Sequence, residues 1–216
     1  MNLYFDIETI PTQNAEFIAD IAKGIKPPAT MKKAETIAEW EKNDKQSAID
    51  DAVGKTSFDG AYGSIICIGY AIDDGEVISL TNASEGEILC SFFNALDAAN
   101  PRNLDVTVIG HNVAEFDLKF LFKRCVVLDI KPPKYLPFKA KSWDKTIFDT
   151  MTEFAGYKDR ISLDKLCKVL GIESNNTHTG ADVYPMYKEG KIAEIASYCA
   201  DDVSITREVY KRLNFI

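Results

Sequence analysis

Leu3-Tyr4-Phe5-Asp6-Ile7-Glu8, followed by Thr9 and stopped by Pro11, is a run of strand-forming residues interrupted by two acids. Side chains alternate across a strand, so Leu3, Phe5 and Ile7 share one face while Asp6 and Glu8 share the other. Same-face neighbours lie about 6–7 Å apart along a strand that rises ~3.3 Å per residue. The pair reads in one of two ways. Either Asp6 and Glu8 are solvated acids on an exposed strand face, or they lie close together in a desolvated site. In the second case their repulsion demands a cation, and hard Mg²⁺ or Mn²⁺ suits carboxylate oxygens.

The rest of the chain bounds the problem. At 216 residues it predicts a single domain over 1–216 with a substantial core, and 46% apolar content places it among globular proteins. Ile65–Ile72, the longest clear apolar run, suits a buried strand rather than a membrane span. The N-terminus shows no basic segment or small-residue cleavage site, so no membrane and a cytoplasmic location are expected. The five cysteines are scattered without C-x-x-C spacing, which predicts small buried hydrophobes in a reducing compartment. A net charge of −8 argues against broad non-specific duplex binding, although bound cations could still recruit a phosphate substrate. Lys131, Lys134, Lys139, Lys141 and Lys145, interleaved with Tyr135, Phe138 and Trp143, read either as a solvated loop or as a surface for a nucleic-acid backbone.

The pattern of elements predicts an α/β fold with a mixed central sheet flanked by helices. After the first strand comes an excursion, about 12–63, with helical composition at Glu16–Lys23 and Met31–Val53. Strands are expected at Ser64–Ile72, Glu76–Leu80 and Asp105–Gly110, with an extended segment at Thr146–Asp149. Ser84 with Glu87 predicts a capping box opening a helix to about Ala99, and Val113–Cys125 predicts another helix. Ser162 should cap a helix over Leu163–Leu170 that Gly171 ends. Asn175–Gly180 reads as polar loop carrying His178 at the surface, and Lys191–Arg212 as the last helix.

Two further acids stand out. Asp117 falls on a helical stripe with Val113, Phe116, Phe120 and Leu121, so it faces the protein body, where an acid needs a partner. Asp202 shares a stripe with Ile195, Tyr198, Cys199, Thr206 and Val209, and Tyr198 and Asp202 are i, i+4 neighbours. A helical Tyr–Asp pair taken alone is more often a structural hydrogen bond than a site. Four acids turned inward from three elements make a cluster that only a bound metal would neutralise.

Phe5-Asp6-Ile7-Glu8-Thr9, Asn112 to Phe116-Asp117, and Tyr198-x-x-x-Asp202 together resemble the three motifs of the DEDD superfamily of 3′–5′ exonucleases. Tyr198 marks its tyrosine subtype; the histidine subtype would place histidine where this chain has Ser197. Ile161-Ser162-Leu163, Leu170-Gly171-Ile172 and Tyr198 to Val203 are similar to the proofreading domains of family B polymerases. Lys26-Pro27-Pro28-Ala29 and the helical excursion resemble stand-alone members, many from phages and prophages. The chain departs from many relatives in lacking a lysine in the loop after Ile172, and it is too short to carry a polymerase.

The resemblance implies an RNase H-like fold and two-metal phosphodiester hydrolysis. Asp6, Glu8, Asp117 and Asp202 would hold two divalent ions, Mg²⁺ or Mn²⁺, and Tyr198 would orient the attacking water. Thr9 and Ile10 would touch the terminal nucleotide, with His111, Asn112 and Phe116 as further substrate contacts. The implied substrate is a single-stranded 3′ end, DNA ahead of RNA, acted on by a monomer. Help from a replication or recombination protein in trans is compatible with this. An exoribonuclease, and a non-catalytic binding module on the same fold, remain as alternatives.

Overall fold

The computed structural model describes residues 1–174 and 177–216. The described residues form a five-stranded sheet in the order β3-β2-β1-β4-β5, with helices on both faces. Strand β1 (Asn2–Ile10) is central, antiparallel to β2 (Ser64–Ile72) and parallel to β4 (Thr107–Gly110). The short edges are β3 (Ile78–Leu80), antiparallel to β2, and β5 (Ile147–Asp149), parallel to β4. This is the mixed α/β sheet that the alternating elements predict, with the RNase H-like arrangement that the resemblance implies.

A central strand is buried on both faces, and β1 shows this residue by residue. Leu3, Phe5 and Ile7 enter the main core with Phe92 of α4 (Glu85–Ala99), whose ring stacks on Phe5 at 5.3 Å. The same core takes Leu118 and Leu121 from α5 (Asp117–Val127). Burying a side chain of Phe92's size contributes roughly 1.5–3 kcal/mol. On the opposite face Tyr4 packs with Ile109 and with Val203 of α9 (Ile192–Leu213). Asp6 and Glu8 therefore lie between the sheet and α9.

Close approach of α9 depends on Gly69, which sits opposite Asp6 in the β1–β2 register. A Cβ there would fall 2.8 Å from Cys199 Sγ and 2.9 Å from both the Cys199 carbonyl and Val203 Cγ2. The carbonyl belongs to the helix backbone and cannot rotate away. Gly69→Ala should therefore push α9 off the sheet and cost about 1–3 kcal/mol by overpacking. Thermal unfolding should show a lower midpoint; an unchanged midpoint would mean that the helix has slack over Gly69.

The excursion after β1 comprises α1 (Ala15–Gly24), α2 (Ala34–Asn43), α3 (Lys45–Gly54) and a 3₁₀ turn, Lys55–Phe58. The sequence predicts one helical run over Met31–Val53; the structure breaks it at Asp44. Asn43 and Asp44 are poor helix formers whose side chains compete for backbone groups. Within these four elements the buried residues are Trp40 and Thr56, so little of the excursion enters the core. Its ends are tied to β1 and α5. The Thr9 hydroxyl donates to the Ser57 carbonyl at 2.7 Å, and the Thr12 N–H to Thr56 Oγ1 at 2.9 Å. Arg124 donates to the Gly60 carbonyl while making a two-pronged, buried ion pair with Glu85.

Other boundaries shift for identifiable reasons. Ser84 occupies the N-cap of α4 but makes no side-chain capping bond, and Glu85 is drawn off to Arg124 and the Ile65 N–H. The strand expected from Glu76 begins at Ile78, and that expected from Asp105 begins at Thr107. Ser162 caps α7 (Leu163–Leu170) through the Lys165 N–H, and Gly171 ends it at φ 66°. Two short helices, α6 (Thr150–Ala155) and α8 (Val183–Lys188), have no counterpart in the sequence reading. The start of the polar loop expected at Asn175–Gly180 lies outside the described residues. Four of the five cysteines are buried as expected, whereas Cys90 is exposed. Among the described residues no helix is long and apolar enough to cross a membrane.

The first part of the lysine-rich stretch lies at the end of β4 opposite to Asp117. Its residues Lys131 to Tyr135 lie with Asp97, Asn103 and Asp105 at the start of β4, while Asp117 follows that strand's end. Tyr135 donates its hydroxyl to Asp97, and Tyr135 and Phe138 rest on the main core. Its aromatic residues are partly structural.

Candidate active site

Strand alternation brings Asp6 and Glu8 to the α9 face, and α9 lays Tyr198, Cys199 and Asp202 across them. A register shift between Glu8 and Thr9, which leaves Ile66 of β2 unmatched, sits at the site and locally redirects the strand. Asp117 arrives differently from its sequence expectation. Residues 113–116 are turns, and α5 opens at Asp117 itself. Two contacts from elsewhere impose that start. The fully buried Asp149 accepts the N–H groups of Asn112 (2.9 Å), Ala114 (3.3 Å) and Met151 (3.1 Å). Asp117 Oδ1 in turn accepts the Ile7 N–H at 3.2 Å, from between the two β1 acids.

The four acids feel one another. Asp6 keeps part of its surface open, yet protein crowds it enough that burial, then Glu8, Asp117 and Asp202, push its pKa well up. Glu8, 7% exposed, is pushed well up by burial, Asp202, Cys67 and Asp117. Asp117, 3% exposed, is raised to about 8, chiefly by burial and further by Asp149 and Asp202, against the pull of its backbone hydrogen bonds. Tyr198, half-buried and hydrogen-bonded to Asp202, is pushed far above the usual phenol range by burial and the surrounding carboxylates. Without a cation, such a cluster holds protons near neutrality; a cation would take their place.

The donor set fits a hard divalent ion. Asp6, Glu8 and Cys199 place ligand-type atoms within 4.8 Å of one another, and Asp117 and Asp202 act on the β1 pair from α5 and α9. Cys199 offers a soft sulfur, which hard Mg²⁺ and Mn²⁺ take less readily than carboxylate oxygen. Burial, with Cys67 and Asp6 adding, holds its pKa well above the usual thiol range, and its Sγ lies 3.4 Å from Asp6 Oδ2 as a weak donor. Carboxylate oxygens are left as the ligands, the chemistry that Mg²⁺ and Mn²⁺ prefer. Beside Tyr198 and Asp202 opens a cavity of about 430 Å³, walled by Ser162 at the cap of α7, by Leu163 and by His178. A hollow of about 660 Å³ at the far end of α9 contains none of these acids.

A family model described as "Predicted 3'-5' exonuclease related to the exonuclease domain of PolB" matches residues 63–216. The chain belongs to that family. No curated protein matches it in sequence. The matched span of this exonuclease-family chain includes Asp117, Tyr198 and Asp202 and begins after Asp6 and Glu8. Membership supports a nuclease acting on nucleic acid with divalent-metal dependence.

The remaining candidates of this exonuclease-family chain separate in the structure. Ile10 is 2% exposed, so its side chain does not reach the cleft surface. The Thr9 hydroxyl is spent on Ser57. His111 is held by the protein at both ring nitrogens. Nε2 lies 2.8 Å from the Ile161 carbonyl and Nδ1 3.0 Å from Thr150 Oγ1, and burial lowers its pKa, leaving it neutral near pH 7. Asn112 takes a left-handed φ of 63°, and its buried Oδ1 meets no hydrogen-bond partner among the described residues. Phe116 is half-buried, its ring 5.8 Å from Phe120 and 6.4 Å from Phe58.

Several residues at the site were not identified from the sequence. His178, expected at the surface, is half-buried in the cavity wall. Asp149 organises the turn before Asp117, and its only sequence signal is an acid preceding a short helix. Cys199 shows on the α9 stripe, but nothing local couples it to Asp6.

Proposed function

We propose that the protein is a 3′–5′ exonuclease that releases nucleoside monophosphates from the 3′ end of single strands, DNA ahead of RNA. The observation that carries this reading is the convergence of four carboxylates, from β1, α5 and α9, beside Tyr198 at an open cavity. Family membership supports the exonuclease class. Asp6, Glu8, Asp117 and Asp202 would hold two divalent ions, Mg²⁺ or Mn²⁺. Bound there, such ions supply the positive charge that activates water and stabilises the crowded phosphate and leaving 3′-oxygen.

The chain's own groups do the positioning. Tyr198, a phenol that ordinarily titrates near 10 and that burial pushes higher, is a poor general base at neutral pH. Its phenol donates to Asp202 and leaves its oxygen free to accept from a water in the cavity, orienting it. Asp149 fixes the turn that delivers Asp117, and the Ile7 N–H fixes the Asp117 carboxylate. Gly69 lets α9 close over the β1 acids.

The test uses 5′-labelled DNA and RNA strands of equal sequence with Mg²⁺, Mn²⁺ or EDTA. Stepwise shortening from the 3′ end, faster on DNA and abolished by EDTA, is expected. Internal cuts, or intact strands with both metals, would overturn the reading; faster RNA shortening would reverse the substrate preference.

A further inference from the structure

Phe58, at the end of the 3₁₀ turn in the excursion, is 73% exposed, and residues 55–58 fall outside the span matched by the exonuclease family. A lone exposed apolar side chain needs no explanation. Phe58 is distinguished by its mounting. Its neighbour Ser57 accepts the hydroxyl of Thr9, the residue after Glu8, at 2.7 Å. Its ring lies 6.4 Å, tilted by 58°, from that of Phe116, the residue before Asp117. Gly63, which closes the excursion, is pinched so tightly that a Cβ would meet the Thr56 carbonyl at 2.6 Å and the Ile10 carbonyl at 2.9 Å. An exposed aromatic ring is thus held between the two backbone segments that deliver acids to the cluster. Side chains three apart eclipse on a 3₁₀ turn, so the exposed Lys55 shares a face with Phe58.

We infer that Phe58, with Phe116 behind it, is the platform on which the base of the 3′-terminal nucleotide stacks, with Lys55 beside it for a backbone phosphate. This deepens, and rests on, the reading under Proposed function: the acids fix where the scissile phosphate sits, and the terminal base lies one sugar away. A cation next to an exposed ring complements a nucleotide, which presents a phosphate and a π-face together. Stacking tolerates every base, as an enzyme that shortens arbitrary sequences requires.

The test compares 5′-labelled single strands that end in a normal 3′ nucleotide or in an abasic one, using wild type, Phe58→Ala, Phe58→Trp and, as control, Phe215→Ala. Phe215 is an exposed aromatic beyond the far end of α9, roughly 20 Å along the helix from Asp202 at 1.5 Å per residue. Wild type should prefer the base-bearing end, and Phe58→Ala should lower that preference in kcat/KM by about tenfold or more, the scale of one lost base stack. Phe58→Trp should restore it, and Phe215→Ala should keep it. A 2-aminopurine at the 3′ end should be quenched on binding by wild type and not by Phe58→Ala. Retained preference and quenching in Phe58→Ala would overturn the inference while leaving the exonuclease reading intact. So would a change confined to self-association of the protein. A wild type that shortens no strand would overturn both.

Discussion

Asp117→Asn should lower divalent-dependent hydrolysis by about a thousandfold or more while making the metal-free protein more stable. The first effect rests on the proposal that Asp117 holds a divalent ion worth several kcal/mol in the transition state, at about 1.4 kcal/mol per factor of ten. Asp6→Asn, Glu8→Gln and Asp202→Asn should lose activity to a similar degree. The second effect has a defined pH signature. Asp117 titrates near 8 in the folded protein against 3.8 for an ordinary aspartate. Below pH 4 both folded and unfolded chains carry the proton and the acid costs nothing. Between pH 4 and 8 the unfolded chain ionises while the folded one holds its proton, so wild-type stability falls as pH rises. The gain from Asp117→Asn should be absent near pH 4 and greatest at pH 8 and above. There it should reach at least about 5 °C, at 2–4 °C per kcal/mol for a chain of this size. Asn can still accept the Ile7 N–H, so the fold keeps that tie. Thermal unfolding in EDTA across this range, beside single-turnover assays with Mn²⁺, checks both halves. Near-wild-type turnover would remove Asp117 from the ligand set; a pH-independent stability change would remove the electrostatic account.

Tyr198→Phe should reduce turnover by about tenfold to a hundredfold, the scale of a misplaced reactant, and leave metal affinity within about threefold of wild type. The phenol lies on the same face of α9 as Asp202 and is hydrogen-bonded to it, and burial with the surrounding carboxylates keeps its proton in place in the metal-free protein. Removing the hydroxyl takes away the group proposed to orient water without adding or deleting charge. Calorimetric titration with Mn²⁺ should therefore give nearly superimposable isotherms, while single-turnover rates diverge. Unchanged rates would make Tyr198 a structural residue, and a loss confined to Mn²⁺ binding would make it part of the metal site.

Local periodicity settled the parts of this protein that depend on neighbours in the chain. Alternation in Leu3 to Glu8 assigned both acids to one strand face, because β side chains have a period of two whatever lies across from them. The 3.6-residue stripe of the last helix put Tyr198 and Asp202 together and left Asp201 exposed, as the structure has it. Ser162 and Gly171 marked the ends of α7, since capping is satisfied within a few residues.

Tertiary contacts decided the rest. The α5 helix opens at Asp117 because Asp149, far along the chain, captures the N–H groups of Asn112 and Ala114. His111, an open polar residue in the sequence, is consumed by Thr150 and the Ile161 carbonyl. The lysine-rich stretch is equally compatible with a nucleic-acid surface until chain direction places Lys131 to Tyr135 at the start of β4. Phe58 and Cys199 gain their meaning only when α9 and the 3₁₀ turn close on β1. Such contacts join segments separated by tens of residues, and their energy depends on which partner arrives, so no pattern within either segment records them.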